Sequence, residues 1–429
     1  MAGLLGGLPR IFDALTDPIM GFISDNTKSK YGRRRPYIFI GAILSGVFFA
    51  LLWQLDENDS QTYNFWYFLI MSMVFLIGNT MFATPLVGLG YEMTSDYNER
   101  TRLMAFANTM GQIAWMIVPW FWVIIADPEI FSSQAVGVRQ LSLLVAAICM
   151  VLGILPALFC KGIDASHMEN RKEINFKTLF SNLIDLFRGI KEVAGNKPFM
   201  KLCGATFLVF NGFQMVAAFS VYIIVFYLFN GDYGAAGTWP AWFSTLTAVA
   251  TAFMVIPIIS LIATKLGKRK AFIISTILSI IGYILKWWSF DPANPWLMFI
   301  PIPLISFGLG GLFTLMMSMT ADVCDLDELR NGMPRKEGTF GAIYWWMVKL
   351  GQALALVLGG LVLKVVGFDG SAATQTLETM TNLRIADIVI PSVTAAAAIV
   401  VMWKYSLTEE RAREIKAQLV ARRGEMGKA

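Results

Sequence analysis

The chain has 429 residues, of which 56% are hydrophobic and only 15% charged, with a formal net charge of +5. Soluble domains run about 45–50% apolar and about 25% charged, so water is the wrong solvent for this composition and a bilayer is the right one. His167 is the single histidine, and the four cysteines (Cys149, Cys160, Cys203, Cys324) lack metal-ligand spacing, which excludes a histidine-based catalytic or metal centre and argues against a disulfide framework.

Apolar runs of about 20 residues recur along the chain, the length a membrane-spanning helix needs. The alternating segments of about ten residues that mark a β-barrel are absent. About eleven spans are expected, over 2–24, 36–54, 64–90, 103–126, 139–160, 200–229, 241–264, 270–288, 295–320, 338–366 and 383–404. The connections alternate in character. Lys28–Arg35, Arg100 and Arg102, 161–199, Lys265–Lys270, Arg330–Lys336 and the tail after Lys404 are basic; 56–61, 127–134, 230–237, 291–295 and 369–375 are poor in Lys and Arg. Positive loops stay inside, which places the basic loops and the C-terminus in the cytoplasm and makes the chain a multi-pass plasma-membrane protein. The start has no basic region ahead of its apolar stretch, so no secretory signal is expected.

Residues 17–44 resemble residues 256–278: each reads helix, short basic loop with a glycine (Gly32, Gly267), helix. The second copy follows another helix and the first does not, so five helices stand against six. Transporters are often built from parallel halves. The expected organisation is an N-terminal bundle over 1–160 lacking its first helix, a linker over 161–199, a six-helix bundle over 200–405 and a tail over 406–429. Within the linker, 172–193 has the periodicity of an amphipathic helix on the membrane face. The tail reads as a solvated helix capped by Thr408.

Asp13 and Asp17 are four residues apart and share a helix face, with Arg10 one turn earlier. Carboxylates at membrane depth cost a few kcal/mol each on insertion scales, so two on one face call for a cation, protons or an arginine. They form a candidate site for Na⁺ or H⁺, with Thr16 supplying further oxygen. Lys349 sits inside an apolar span, where it needs a carboxylate, a cavity or water, or else snorkels to an interface. Trp345 shares its face, and Tyr344 precedes it; such rings stack on sugar faces or serve an interfacial belt. Asn108 and Gln352 line a cavity or bond a neighbouring helix. Asp25, with Arg33 and Arg34, suits a gate at the end of the first helix, and Arg10 is grouped with them. No phosphate-binding loop is present, so ATP-driven transport by this chain is not expected. Neither a catalytic set nor a cofactor site is evident, and the basic loops set topology rather than bind nucleic acid.

RIFDALTDPIMGFISDNTKSKYGRRRP, PLVGLGYEMTSDYNERTRL, TADVCDLDEL and YSLTEERAREI resemble the glycoside–pentoside–hexuronide:cation symporters, the melibiose-permease relatives of the major facilitator superfamily. The resemblance implies an all-α fold of two helical bundles. It places the cation at Asp13 and Asp17 with a helix-IV threonine, Thr80, and the sugar near the helix-XI Lys349 and a helix-X aromatic, Phe313. The acid, tryptophan and arginine that bind galactosides in melibiose permease fall at Ala83, Val87 and Asn108, so another glycoside, uronide or oligosaccharide is expected. Membrane lipids are the remaining partners and a monomer is expected. The rival readings are a lysolipid-type transporter and a non-transporting solute sensor.

Overall fold

The computed structural model describes residues 2–426 apart from 57–58, 95, 126, 128, 161, 163–190, 192, 332–335 and 371. Among the described residues there is helix and no strand. The first set of helices is α1 (Ala2–Asn26), α2 (Arg35–Leu52), α3 (Gln61–Glu92), α4 (Tyr97–Ile125) and α5 (Gln134–Phe159). The second comprises α6 (Lys197–Tyr222), the one-turn α7 (Tyr233–Ala236), α8 (Trp239–Ala250), α9 (Ile256–Leu266), α10 (Lys268–Ser289), α11 (Ile302–Asn331), α12 (Glu337–Val365) and α13 (Leu377–Trp403), followed by the tail helix α14 (Glu409–Met426).

Among the described residues, ten helical spans are long and apolar enough to cross a membrane. Helix α1, whose interior carries Arg10, Asp13 and Asp17, falls outside that set because of those charges. Small polar side chains start several helices. Ser60, Ser133, Asn196 and Thr376 each accept a hydrogen bond from the backbone N–H three residues on, which satisfies a group the helix leaves unpaired. The outer faces stay apolar: on α5, Leu143, Leu144, Val151, Leu152 and Leu158 are all exposed, as lipid contact requires and water forbids.

The two sets meet along two seams. On one, α1 packs against α12 and α3 against α12; on the other, α4 packs against α8, α9 and α11. The second seam contains a π-helical turn, Thr251–Val255, joining α8 to α9. The densest apolar core lies in the second set, around Leu312, Leu315, Met316, Phe340 and Tyr344.

The span over 241–264 is met by one continuous helical run of α8, the π turn and α9 over 239–266. Two expectations need correction. The span over 295–320 is a 3₁₀ turn, Pro295–Phe299, followed by α11, which continues to Asn331. TADVCDLDEL is therefore buried helix; Asp322 and Asp325 within it tolerate burial because they are paired with Arg100 and Lys268. The tail is not fully solvated. Thr408 does cap α14, its hydroxyl 3.5 Å from the Arg411 N–H, but Ile415 and Leu419 are buried against Val323 and Leu326. The amphipathic helix expected over 172–193 and His167 lie outside the described residues, except for the helical turn around Val193.

Gly32 (φ +90°) and Gly267 (φ +82°) both occupy the left-handed region that favours glycine. The two repeat units thus share a positive-φ glycine, although the first connection runs over 27–34 and the second is Gly267 alone.

Candidate cation and substrate site

Helix α1 carries Asp13 and Asp17 on the face turned to α3 and α12, and they are 1% and 3% exposed. Asp17 lies nine residues before the end of α1, about 14 Å along the axis, and Lys349 lies about 18 Å inside α12. All three side chains therefore sit near the middle of their helices. Lys349 Nζ is 2.6 Å from Asp13 Oδ2 and 2.6 Å from Asp17 Oδ2. The other carboxylate oxygens face hydroxyls of α3. Thr80 Oγ1 lies 3.0 Å from Asp17 Oδ1 and 3.4 Å from Asp13 Oδ1, and Thr84 Oγ1 lies 3.5 Å from Asp17 Oδ1. Thr16 donates to the Asp13 carbonyl at 3.1 Å and sits 3.3 Å from Thr80 Oγ1.

Two carboxylates and one ammonium leave one formal negative charge, surrounded by neutral oxygens of the kind Na⁺ accepts. The charge imbalance equally suits one proton. Lys349 opens the site: its side chain is 24% exposed, against 2% and 5% for those of Asp13 and Asp17. The side chain of Arg10 lies outside the described residues.

One turn before Lys349 on the same face of α12, Trp345 stacks on Phe313 of α11, with centroids 5.6 Å apart and planes 17° apart. Both rings are half-buried, so they form an aromatic step beside the lysine. Gln352 is half-buried three residues further on. Asn108 is engaged elsewhere: its amide lies 3.1 Å from Thr314 Oγ1 and 3.4 Å from the Gly310 carbonyl, bridging α4 to α11. Tyr344 is a correction to the expected substrate set. It is 0% exposed in the core of the second set, edge-on to Trp345, because consecutive helical residues point about 100° apart and only one of the pair faces Lys349.

A second polar constellation lies at the basic end. Asp25 accepts from the backbone N–H groups of Gly338 (3.0 Å) and Thr339 (2.9 Å) in the first turn of α12, where a carboxylate complements the helix dipole. Arg34 donates to Asp25 at 2.6 Å. Glu92 Oε2 is 2.7 Å from both Arg33 and Arg34, and Glu337 Oε2 is 2.8 Å from Arg33 and 3.4 Å from Arg34. Burial disfavours the Arg33 cation, but Glu337, Glu92 and Asp25 more than offset this and hold its pKa above the usual arginine value. The helices can approach this closely because Gly21 and Gly338 lack side chains: a Cβ on Gly21 meets the Gly338 carbonyl oxygen at 2.7 Å. The other seam is tied in parallel. Arg100 of α4 reaches Asp325 at 2.5 Å and Asp322 at 3.3 Å on α11, and Lys268 reaches Asp322 at 2.6 Å.

Glu92, Glu337, Thr84, Asp322 and Asp325 were not singled out from the sequence. The signal was there for the acids of TADVCDLDEL, which needed partners once they were buried; for Thr84 there was none beyond its place one turn after Thr80.

The chain matches the family described as "MFS/sugar transport protein" over residues 1–409. Among curated relatives, it is 24% identical to the "Glucuronide carrier protein homolog" of Escherichia coli, covering 97% of this chain and 87% of that one. It is 22% identical to the isoprimeverose transporter of Lactiplantibacillus pentosus, covering 92% and 78%. It is also 22% identical to the mouse sodium-dependent lysophosphatidylcholine symporter 1, covering 97% and 80%. Among solved structures, the major facilitator superfamily transporter FucP superposes with a TM-score of 0.60 at 15% identity, over 94% of this chain and 90% of that one. With that match over nearly its whole length and an all-helical fold shared with such transporters, the chain belongs to the MFS/sugar transport protein family and is a multi-pass membrane solute transporter, not an enzyme.

Proposed function

We propose that the chain is a symporter that couples uptake of a sugar-type solute, a glycoside, uronide or oligosaccharide, to Na⁺ or H⁺ by alternating access. The observation that carries this reading is the Asp13–Asp17–Lys349 triad near the middle of α1 and α12, with its uncompensated negative charge and its hydroxyl collar. The coupling ion binds at Asp13, Asp17, Thr80 and Thr16; the solute binds against Lys349, Trp345 and Phe313. The relatives' names, a glucuronide carrier and an isoprimeverose transporter, support a sugar-type solute.

The basic end faces the cytoplasm in this reading, together with the C-terminus, in a plasma membrane. The ion pairs of Arg33, Arg34 and Arg100 then close the cytoplasmic side, so the conformation is one with that gate shut. Glu337→Gln removes one of the two negative charges that Arg33 and Arg34 share, leaving Glu92 as their common carboxylate. Losing one partner of a buried ion pair costs about 3–5 kcal/mol, so the gate is expected to open more often. The reporter is Cys324, 2% exposed near the end of α11. Its alkylation, followed by mass spectrometry, is expected to accelerate at least about tenfold, the effect of about 1.4 kcal/mol. Unchanged labelling counts against the gate.

The lysophosphatidylcholine symporter among the relatives favours a second reading, lipid transport. Proteoliposome uptake under an imposed Na⁺ or H⁺ gradient separates the two. Accumulation of radiolabelled glycosides or uronides supports the sugar reading; accumulation of lysolipid with none of the sugars replaces it.

A further inference from the structure

We propose that Tyr91, Tyr344 and Thr206 form a second polar subsite, between the aromatic step and the cytoplasmic gate, that takes hydroxyl groups, of water or of a sugar. This rests on the alternating-access reading above and adds a stage on the release side, separate from the triad.

The three side chains come from α3, α6 and α12, and each is 0% exposed. Tyr91 reaches across the seam between the two sets. A Cβ on Gly341 of α12 meets its Cε2, the ring atom next to the hydroxyl-bearing carbon, at 3.3 Å. Tyr344 lies three residues beyond Gly341, on the same side of α12. Thr206 is one turn after Cys203, which packs in one core with Tyr344. The Thr206 and Tyr344 hydroxyls lie near one another without completing a hydrogen bond. Along α12, Tyr344 is about 10.5 Å past Glu337 and about 7.5 Å short of Lys349. Tyr91 adjoins Glu92, the carboxylate 2.7 Å from both Arg33 and Arg34. The cluster therefore fills the stretch between gate and triad.

Among the described residues, none of the three hydroxyls has a hydrogen-bond partner, and neither has Nε1 of Trp345, the ring edge-on to Tyr344. Burying such a group unpaired costs its full desolvation, and protein interiors hold few of them. Packing does not call for them. Phenylalanine and valine fill the same volumes, and Phe199 and Phe340 do so in the same core, edge-on with centroids 4.9 Å apart. What the hydroxyls add is the capacity to donate and accept. All four groups are neutral, so they suit water and sugar hydroxyls and offer an ion no charge. Tyr91 belongs to the first set of helices, Tyr344 and Thr206 to the second. Parting of the gate thus puts them on opposite walls of the cytoplasmic opening, where a solute leaving the Trp345–Phe313 step meets them next.

The test is X-ray hydroxyl-radical footprinting of the full-length protein in nanodiscs, read by mass spectrometry, because radicals made from bound water label the buried side chains that hold it. After correction for the reactivity of each residue type, Tyr91 and Tyr344 are expected to be labelled at least about tenfold faster than the equally enclosed Phe199 and Phe340. Tyr344→Phe is expected to cut the labelling of Tyr91 severalfold, because a ligand shared between them loses one partner. Unchanged labelling of Phe199 and Phe340 checks that the core is intact, and Tyr91→Phe, read at Tyr344, is the second variant. Methyl β-D-glucoside at high concentration separates the two sources. Protection of both tyrosines assigns the subsite to sugar as well as water; undiminished labelling assigns it to water alone. Tyrosines labelled no faster than the phenylalanines, or a Tyr91 indifferent to Tyr344→Phe and a Tyr344 indifferent to Tyr91→Phe, overturn the proposal. The footprint is read without transport, so it fails independently of the symport reading, which fails if proteoliposomes accumulate no sugar.

Discussion

Asp17→Asn is expected to abolish cation-driven accumulation while leaving the protein folded and able to equilibrate solute across the membrane. The substitution keeps the shape of the side chain and can still meet the Thr80 and Thr84 hydroxyls, 3.0 and 3.5 Å away. What changes is charge. Asp13 and Lys349 remain as a neutral pair, 2.6 Å apart, and the site no longer needs a cation. One unit charge at about 4 Å is worth roughly 4 kcal/mol at an effective dielectric constant near 20. Cation affinity is therefore expected to fall by at least about a hundredfold, allowing for partial screening. The measurement is the ratio of internal to external solute in proteoliposomes under a Na⁺ or H⁺ gradient. Asp17→Asn is expected to stop at unity, and a wild-type ratio in this variant refutes the assignment.

The largest effect on stability is expected far from that site. Lys286 of α10 and Asp387 of α13 form a fully buried ion pair, with Ser220 of α6 3.2 Å from the ammonium. Arg384, one turn earlier on α13, donates to Tyr227 at 2.6 Å and lies over the Tyr227 and Trp287 rings at 4.2 and 4.6 Å. None of these groups touches the triad or the gate. Removing one charge strands the other in an apolar bundle, at a cost of about 3–5 kcal/mol, whereas replacing both with apolar residues of similar volume is often neutral or better. Asp387→Leu is therefore expected to lower the unfolding temperature of the detergent-solubilised protein sharply, and Lys286→Met with Asp387→Leu to restore it. A double variant no more stable than the single one shows that the pair has a role beyond mutual neutralisation.

The triad and one part of the gate, the Asp25 contact with α12, lie on the same two helices. Helix α1 carries Asp13 and Asp17 near its middle and Asp25 at its end; helix α12 carries Lys349 near its middle and receives Asp25 at its first turn. The α1–α12 seam is thus tied at two levels about 12 Å apart along α1. In the proposed reading, an ion bound at Asp13 and Asp17 weakens the inner tie to Lys349 and leaves the gate as the remaining one, a physical route from ion binding to the conformational step.

Much of this was legible in the residues. The cost of charge in a bilayer singled out Asp13, Asp17 and Lys349, because each lies within an apolar run and none can be left unpaired. Helical spacing placed Trp345 on the lysine's face, and the repeat around Gly32 and Gly267 pointed to a positive-φ glycine in each connection. Pairings between distant segments were not legible. Glu337 looks like an ordinary loop acid until α12 brings it to Arg33, 304 positions away in sequence. Tyr344 and Trp345 are chemically equivalent candidates, and only the packing of α12 decides that one is core. The helix run through TADVCDLDEL defeats hydropathy reading because its acids are buried by pairing with Arg100 and Lys268 rather than solvated.

Equilibrium cation binding by purified protein, with no sugar present, probes the site itself. Na⁺ uptake is followed by calorimetry and H⁺ uptake by an indicator dye, for wild type and for Asp13→Asn with Asp17→Asn. Wild type is expected to take up one monovalent cation of one kind, and the double variant neither. Undiminished binding by the double variant means that the coupling ion sits elsewhere.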